Sequence, residues 1–156
     1  MTATAPAAPQ PTPEQLKAYV EQLPELYREI IAAFQFADPN RQYGEGVLES
    51  TLKNYLRGKS LPTGFNREQE YREKRLDHRK RLRRLRNDKT QRSMLLSDDT
   101  LSLAIERLAA AGLIVPPLET RLGSLIPTSV GESLIAAITG VVAPQLSLPE
   151  LPKPTW

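Results

Sequence analysis

The densest chemistry in the sequence is Arg79, Lys80, Arg81, Leu82, Arg83, Arg84, Leu85 and Arg86, six bases in eight residues with no acid among them. Guanidinium and ammonium groups at this density reach successive phosphates of a nucleic acid. Each phosphate neutralised releases counterions, so such binding is strong at low salt and falls steeply as salt rises. The run sits in a wider band. Residues 66–92 hold twelve basic and five acidic side chains, against nine and thirteen in the rest of the chain. A mildly acidic protein thus carries one basic band in its middle. Such a band contacts nucleic acid, docks on an acidic protein surface (a second copy included), or stands as a solvated arm that binds nothing.

Other chemistry is thin. There is no cysteine, which excludes disulfides, thiolate zinc sites and cysteine nucleophiles. The single histidine, His78, lies inside the arginine run without a second ligand at metal spacing. Gly58-Lys59-Ser60 copies the end of a phosphate-binding loop, but Lys53 stands where its first glycine belongs and Pro62 interrupts the helix that would follow. Asp98 and Asp99 are adjacent on a helix, point apart and double as caps, which leaves acid–base catalysis without support. No catalytic residue, metal or cofactor is assigned, and the chain reads as a non-enzyme.

These residues must be positioned by helices. The chain has 156 residues, and eight of its 14 prolines fall in the first 13 and last 14 positions. Residues 1–13 read as a flexible lead and 143–156 as an extended tail, leaving a body over 14–142. The tail's Leu146, Leu148, Leu151 and Trp156 also allow a strap on this domain or on a partner. Helical spacing places Leu16, Tyr19, Val20 and Leu23 on a first helix, and Leu26, Tyr27, Ile30, Ile31 and Phe34 on a second. A third, over 46–57, carries Val47, Leu48, Leu52, Tyr55 and Leu56 and ends at Gly58. From Arg67 to Arg92 there is no helix breaker, yet the only aliphatic residues are Leu76, Leu82 and Leu85. A helix so poor in apolar groups is expected to project into solvent or lie on something acidic. Tyr71, His78 and Leu85 form a thin heptad seam that would suit a contact between subunits. Ser97 caps a helix over 98–111 with Leu101, Ile105 and Leu108 inward, and Gly112 ends it. Leu113-Ile114-Val115 and Leu125-Ile126 read as two short strands, and Ser129 with Glu132 has capping-box spacing before a last helix.

The stretch from Leu96 through Leu101, Ile105, Leu108 and Gly112 to Ile114, the short hairpin, and then Ile126 to Ile135 resembles the recognition helix, wing and following helix of winged helix-turn-helix proteins. Bacterial regulators of the MarR and PadR kind are the closest in character. The resemblance implies a mainly α fold with a two-stranded β-hairpin wing and, here, a long basic helical insertion at 66–92. It places Asp98, Asp99, Thr100, Ser102, Leu103, Glu106 and Arg107 outward on the recognition helix. Three acids against one arginine depart from what usually enters a major groove. The wing offers Arg121 alone, two residues from Glu119.

The expected function is therefore DNA binding, as a transcriptional regulator and homodimer paired through helices near 14–36. Affinity is expected to come from Arg79, Lys80, Arg81, Arg83, Arg84 and Arg86, with contacts from Thr100, Ser102, Arg107 and Arg121. The alternative is a winged-helix adaptor or complex subunit whose acidic helix faces a protein. No apolar run reaches the ~18 residues of a membrane span, and the first residues lack the basic and apolar regions of a signal peptide. A cytoplasmic location is expected.

Overall fold

The computed structural model describes residues 12–37, 46–59, 72–89, 97–120 and 123–140. Residues 1–11 of the lead, the tail, Tyr71, Arg121 and the outer parts of the 66–92 band lie outside the described residues, while Thr12 and Pro13, expected in the lead, begin the first helix.

Among the described residues six α-helices make the fold mainly α: α1 (Pro13–Gln22), α2 (Glu25–Ala37), α3 (Glu49–Leu56), α4 (Arg72–Asn87), α5 (Asp98–Ala110) and α6 (Ser129–Thr139). A 3-10 turn spans Pro117–Glu119. Helix α1 opens on a capping box: Thr12 accepts from the Gln15 amide while the Gln15 side chain accepts from the Thr12 amide. Helix α2 is the centre of the molecule. Leu26, Tyr27 and every residue from Glu29 to Ala37 are buried, because α3, α4 and α6 all pack on it. Of the dimer face expected near 14–36, the apolar stripe of α2 packs inside the chain's own core and α1 keeps an open side.

On α5 the inward set is as expected, with Leu101, Ile105 and Leu108 buried and Ala104 added to them. Ser97 caps it, accepting from the Thr100 amide. Gly112, at a φ of +79°, takes the left-handed turn that redirects the chain straight after the helix. Helix α6 is capped by Thr128, one residue earlier than the sequence pattern indicated. Its hydroxyl accepts from the Gly131 amide and donates to the Gly112 carbonyl.

Pairing between extended segments is limited to two antiparallel bridges, and no longer strand exists among the described residues. Val47 and Leu125 exchange both backbone hydrogen bonds, and Ile114 bridges Pro127. Segment 125–127 therefore lies between 46–48 and 113–115. The third helix accordingly begins at Glu49. Val47 and Leu48, expected in its first turn, are extended because Val47 is paired to Leu125.

The N-terminus of α6 sits tightly on this pairing. Leu113's carbonyl accepts from the Thr128 amide, and a Cβ built on Gly131 would run into that same oxygen. In an open helix Gly→Ala stabilises by about 0.5–1 kcal/mol. Here the sign should reverse: Gly131→Ala is expected to destabilise by about 1–3 kcal/mol through overpacking. Ile105→Ala should cost about 2–5 kcal/mol through a cavity. Urea denaturation of the two variants checks both, and a neutral Gly131→Ala would show that α6 can move off Leu113.

Candidate nucleic-acid interface

The basic helix does not stand off the body. On α4, His78 is 0% and Leu82 1% exposed, Arg75 and Leu85 are buried, and the face carrying them lies on α2. The expectation of a projecting, solvated helix is corrected. Its physical basis failed because a core can accept polar groups when each finds a partner. Directional polar contacts add to the anchoring given by Leu82 and Leu85.

Those contacts form a seam. His78 Nε2 lies 3.1 Å from the Glu29 carbonyl oxygen and 3.0 Å from Glu29 Oε2, so it carries the ring proton between two acceptors. His78 Nδ1 lies 2.8 Å from the Tyr55 hydroxyl. The imidazole stacks on the Tyr55 ring at 5.5 Å and tilts against Phe36 at 5.3 Å. Arg81 Nε donates to both Glu29 carboxylate oxygens, at 3.1 and 3.3 Å. Arg75 donates to the Phe36 carbonyl and Arg86 to the Leu56 carbonyl. Of the heptad positions seen in the sequence, His78 and Leu85 are buried within this chain, His78 against Glu29 of α2 and Tyr55 of α3.

Burial alone would raise the Glu29 carboxyl. The hydrogen bond from His78, the electrostatic attraction of its ring and then Arg81 outweigh it and hold the group below its ordinary value of 4.5. Burial pushes the Tyr55 phenol up against the opposing charges of Arg79 and Arg75. Burial lowers the Arg86 guanidinium, with Arg83 adding to the effect.

The six expected bases therefore divide. Arg81 and Arg86 are drawn into the seam, their side chains turned to Glu29 and Leu56. Arg79, Lys80, Arg83 and Arg84 are exposed. At 100° per residue Lys80, Arg83 and Arg84 fall on the arc opposite His78 and Leu82, and Arg79 falls on its flank, about 60° from Leu82. Lys80, Arg83 and Arg84 line a shallow open depression with Asn87 and Asp88, and Arg79 lies over the Tyr55 ring at 5.8 Å.

On α5 the expected residues have other engagements. Ser102 Oγ accepts from Lys53 Nζ at 2.7 Å, and Arg107 donates to the Tyr27 hydroxyl at 3.2 Å. Thr100 is half-buried in the first turn. Asp98, expected to repel phosphates, is paired with Lys53 and Arg57, both at 3.1 Å. The hydrogen bonds from Lys53 and then Arg57 hold its carboxyl below the ordinary range. Asp99, Leu103 and Glu106 remain exposed as expected. Lys53, buried and touching Glu49, Asp98 and Ser102, ties α3 to α5 and was not singled out in the sequence. Nor was Glu29. A helical wheel of α2 would have exposed it as an acid inside the apolar stripe of Leu26, Ile30 and Ala33.

Residues 56–57 join the two parts. The last turn of α4 reaches the Leu56 carbonyl through Arg86, and the first turn of α5 reaches Arg57 through Asp98. Among the described residues no cluster of three or more metal-ligating side chains occurs, and no helix is long and apolar enough to cross a membrane.

Glu29 gives the seam a pH dependence. Its folded pKa lies below its unfolded one, so the stabilisation is complete above the ordinary value of 4.5 and is lost as pH falls through the folded value. Glu29→Gln should destabilise by about 1–3 kcal/mol at neutral pH, the worth of a hydrogen bond to a charged group. The thermal midpoints of parent and variant should converge in acid. Parallel midpoint curves across the acid range would remove the ion pair from the account.

Comparison of the chain with protein-family models, with curated proteins and with solved structures returned no match.

Proposed function

We propose that the chain is a winged-helix protein that binds duplex DNA, as a transcriptional regulator and homodimer, and that the exposed face of α4 supplies most of its affinity. The observation that carries the reading is the face itself. Arg79, Lys80, Arg83 and Arg84 point outward from a helix whose opposite side is fixed to the core through His78 and Glu29. Preorganised bases lose less freedom on binding than the same bases on a loose arm.

The winged-helix part is supported by the order of pairing. Segment 46–48, α3, α5, then 113–115 and 125–127, with the last lying centrally, matches the arrangement expected when a wing folds back beside a helix-turn-helix pair. Here α4 is the insertion between the paired helices. Pairing of subunits falls to surfaces other than α2, with the open side of α1 the natural candidate.

A second reading has one specific observation in its favour. Leu103 is 46% exposed on α5, between Asp99 and Glu106, which suits a basic protein partner better than a phosphate backbone.

The test is a salt series with random-sequence duplex DNA. Replacing Arg79, Lys80, Arg83 and Arg84 together with Gln should weaken binding by orders of magnitude at low salt. The slope of log affinity against log salt should flatten by about 0.9 for each phosphate left without its positive partner. Thermal stability should change little, because exposed charges contribute little to folding. An unaltered slope in this variant would hand the function to the adaptor reading.

A further inference from the structure

Two of the side chains that a winged helix would use to read bases are already engaged elsewhere in this molecule. Ser102 is held by Lys53 and Arg107 by Tyr27. The exposed positions of α5 are Asp98, Asp99, Leu103, Glu106, Arg107 and Ala110, so three acids face solvent against one arginine. Base readout in the major groove depends on donors such as Arg, Lys, Asn and Gln aimed at base edges, and acids facing phosphates are repelled. Helix α5 therefore presents a poor reading surface.

The outward bases on α4 are of a different kind. Arg79 and Arg83 form one i,i+4 row, Lys80 and Arg84 a second, and the rows lie side by side on an exposed helix face. Each row advances about 6 Å between its members. Planar guanidinium forks and a mobile ammonium fit phosphate oxygens, which carry no sequence information.

Resting on the DNA-binding reading above, we infer that the protein grips the phosphodiester backbone of duplex DNA without reading its sequence. The contacts are made by Arg79, Lys80, Arg83 and Arg84, while Arg81 and Arg86 serve only to hold the helix. Regulation then acts through coverage of DNA instead of choice of operator.

Charge-matched variants test this in the full chain. Arg83→Gln and Arg81→Gln each remove one positive charge from the same helix. Arg83→Gln should lower the salt slope by about 0.9. Arg81→Gln should keep the parent's slope and lower the thermal midpoint instead. If Arg81→Gln does not fold, Arg86→Gln replaces it in the comparison. Thr100→Ala and Arg107→Gln should leave the slope unchanged, and a randomised duplex pool carried through rounds of selection should stay random. Two results overturn the inference while leaving DNA binding intact. One is a selected motif bound on the order of 10³-fold tighter than random duplex, with that preference abolished in Thr100→Ala or Arg107→Gln. The other is an equal slope change in Arg81→Gln and Arg83→Gln. Absence of any duplex binding by the parent chain instead overturns the DNA reading itself.

Discussion

One buried imidazole organises the molecule. His78 is the only histidine in the chain, and it sits without solvent contact between a main-chain carbonyl, a carboxylate and a phenol. Burying a polar ring is unfavourable unless each of its nitrogens is satisfied, and a missing partner would cost about 1–3 kcal/mol. Here both are satisfied, by residues of two different helices. The requirement is directional in a way that leucine packing is not. An apolar stripe tolerates some rotation of a helix about its axis, whereas two hydrogen bonds from one ring do not. The azimuth of α4 follows, and with it the choice of bases that face solvent.

The second consequence lies in Glu29. A carboxylate at the centre of α2 would be intolerable alone, because an isolated charge in a core is heavily penalised. With His78 and Arg81 against it, the same carboxylate links the most basic helix to the most buried one. Lys53 performs the mirror role on the other side of α3, a buried ammonium satisfied by Asp98 and Ser102 of α5. Helix α3 is thus held by polar links on both flanks. Its last residues become the place where the basic helix and the acidic helix meet. Asp98 is neutralised at that junction, so α5 is less repulsive at its first turn than its composition indicates.

Where burial is apolar, the sequence was readable. Leu101, Ile105 and Leu108 repeat at helical spacing, and the structure buries all three. Gly58 and Gly112 mark helix ends, while the two strands expected around Ile114 and Leu125 are present only as isolated bridges. The docking of α4 was not readable, for a physical reason. Hydrophobic periodicity reports only apolar faces, and the face that α4 buries carries His78 and Arg75 among its leucines. The partner of His78 stands 49 residues away, where nothing in local spacing points to it. For the same reason no compositional signal separates Arg81 from Arg83. The two differ only in which side of the helix Glu29 approaches.

His78 is locked between Glu29 and Tyr55, and as the sole histidine it is directly observable. Nitrogen-15 NMR of the imidazole in the full chain gives one ring to follow at neutral pH. A proton on Nε2 protected from exchange with water is expected, with nuclear Overhauser contacts from the ring to the aromatic protons of Tyr55 and Phe36. A ring whose nitrogens exchange freely, with no contact to either aromatic, would contradict this lock and return α4 to solvent.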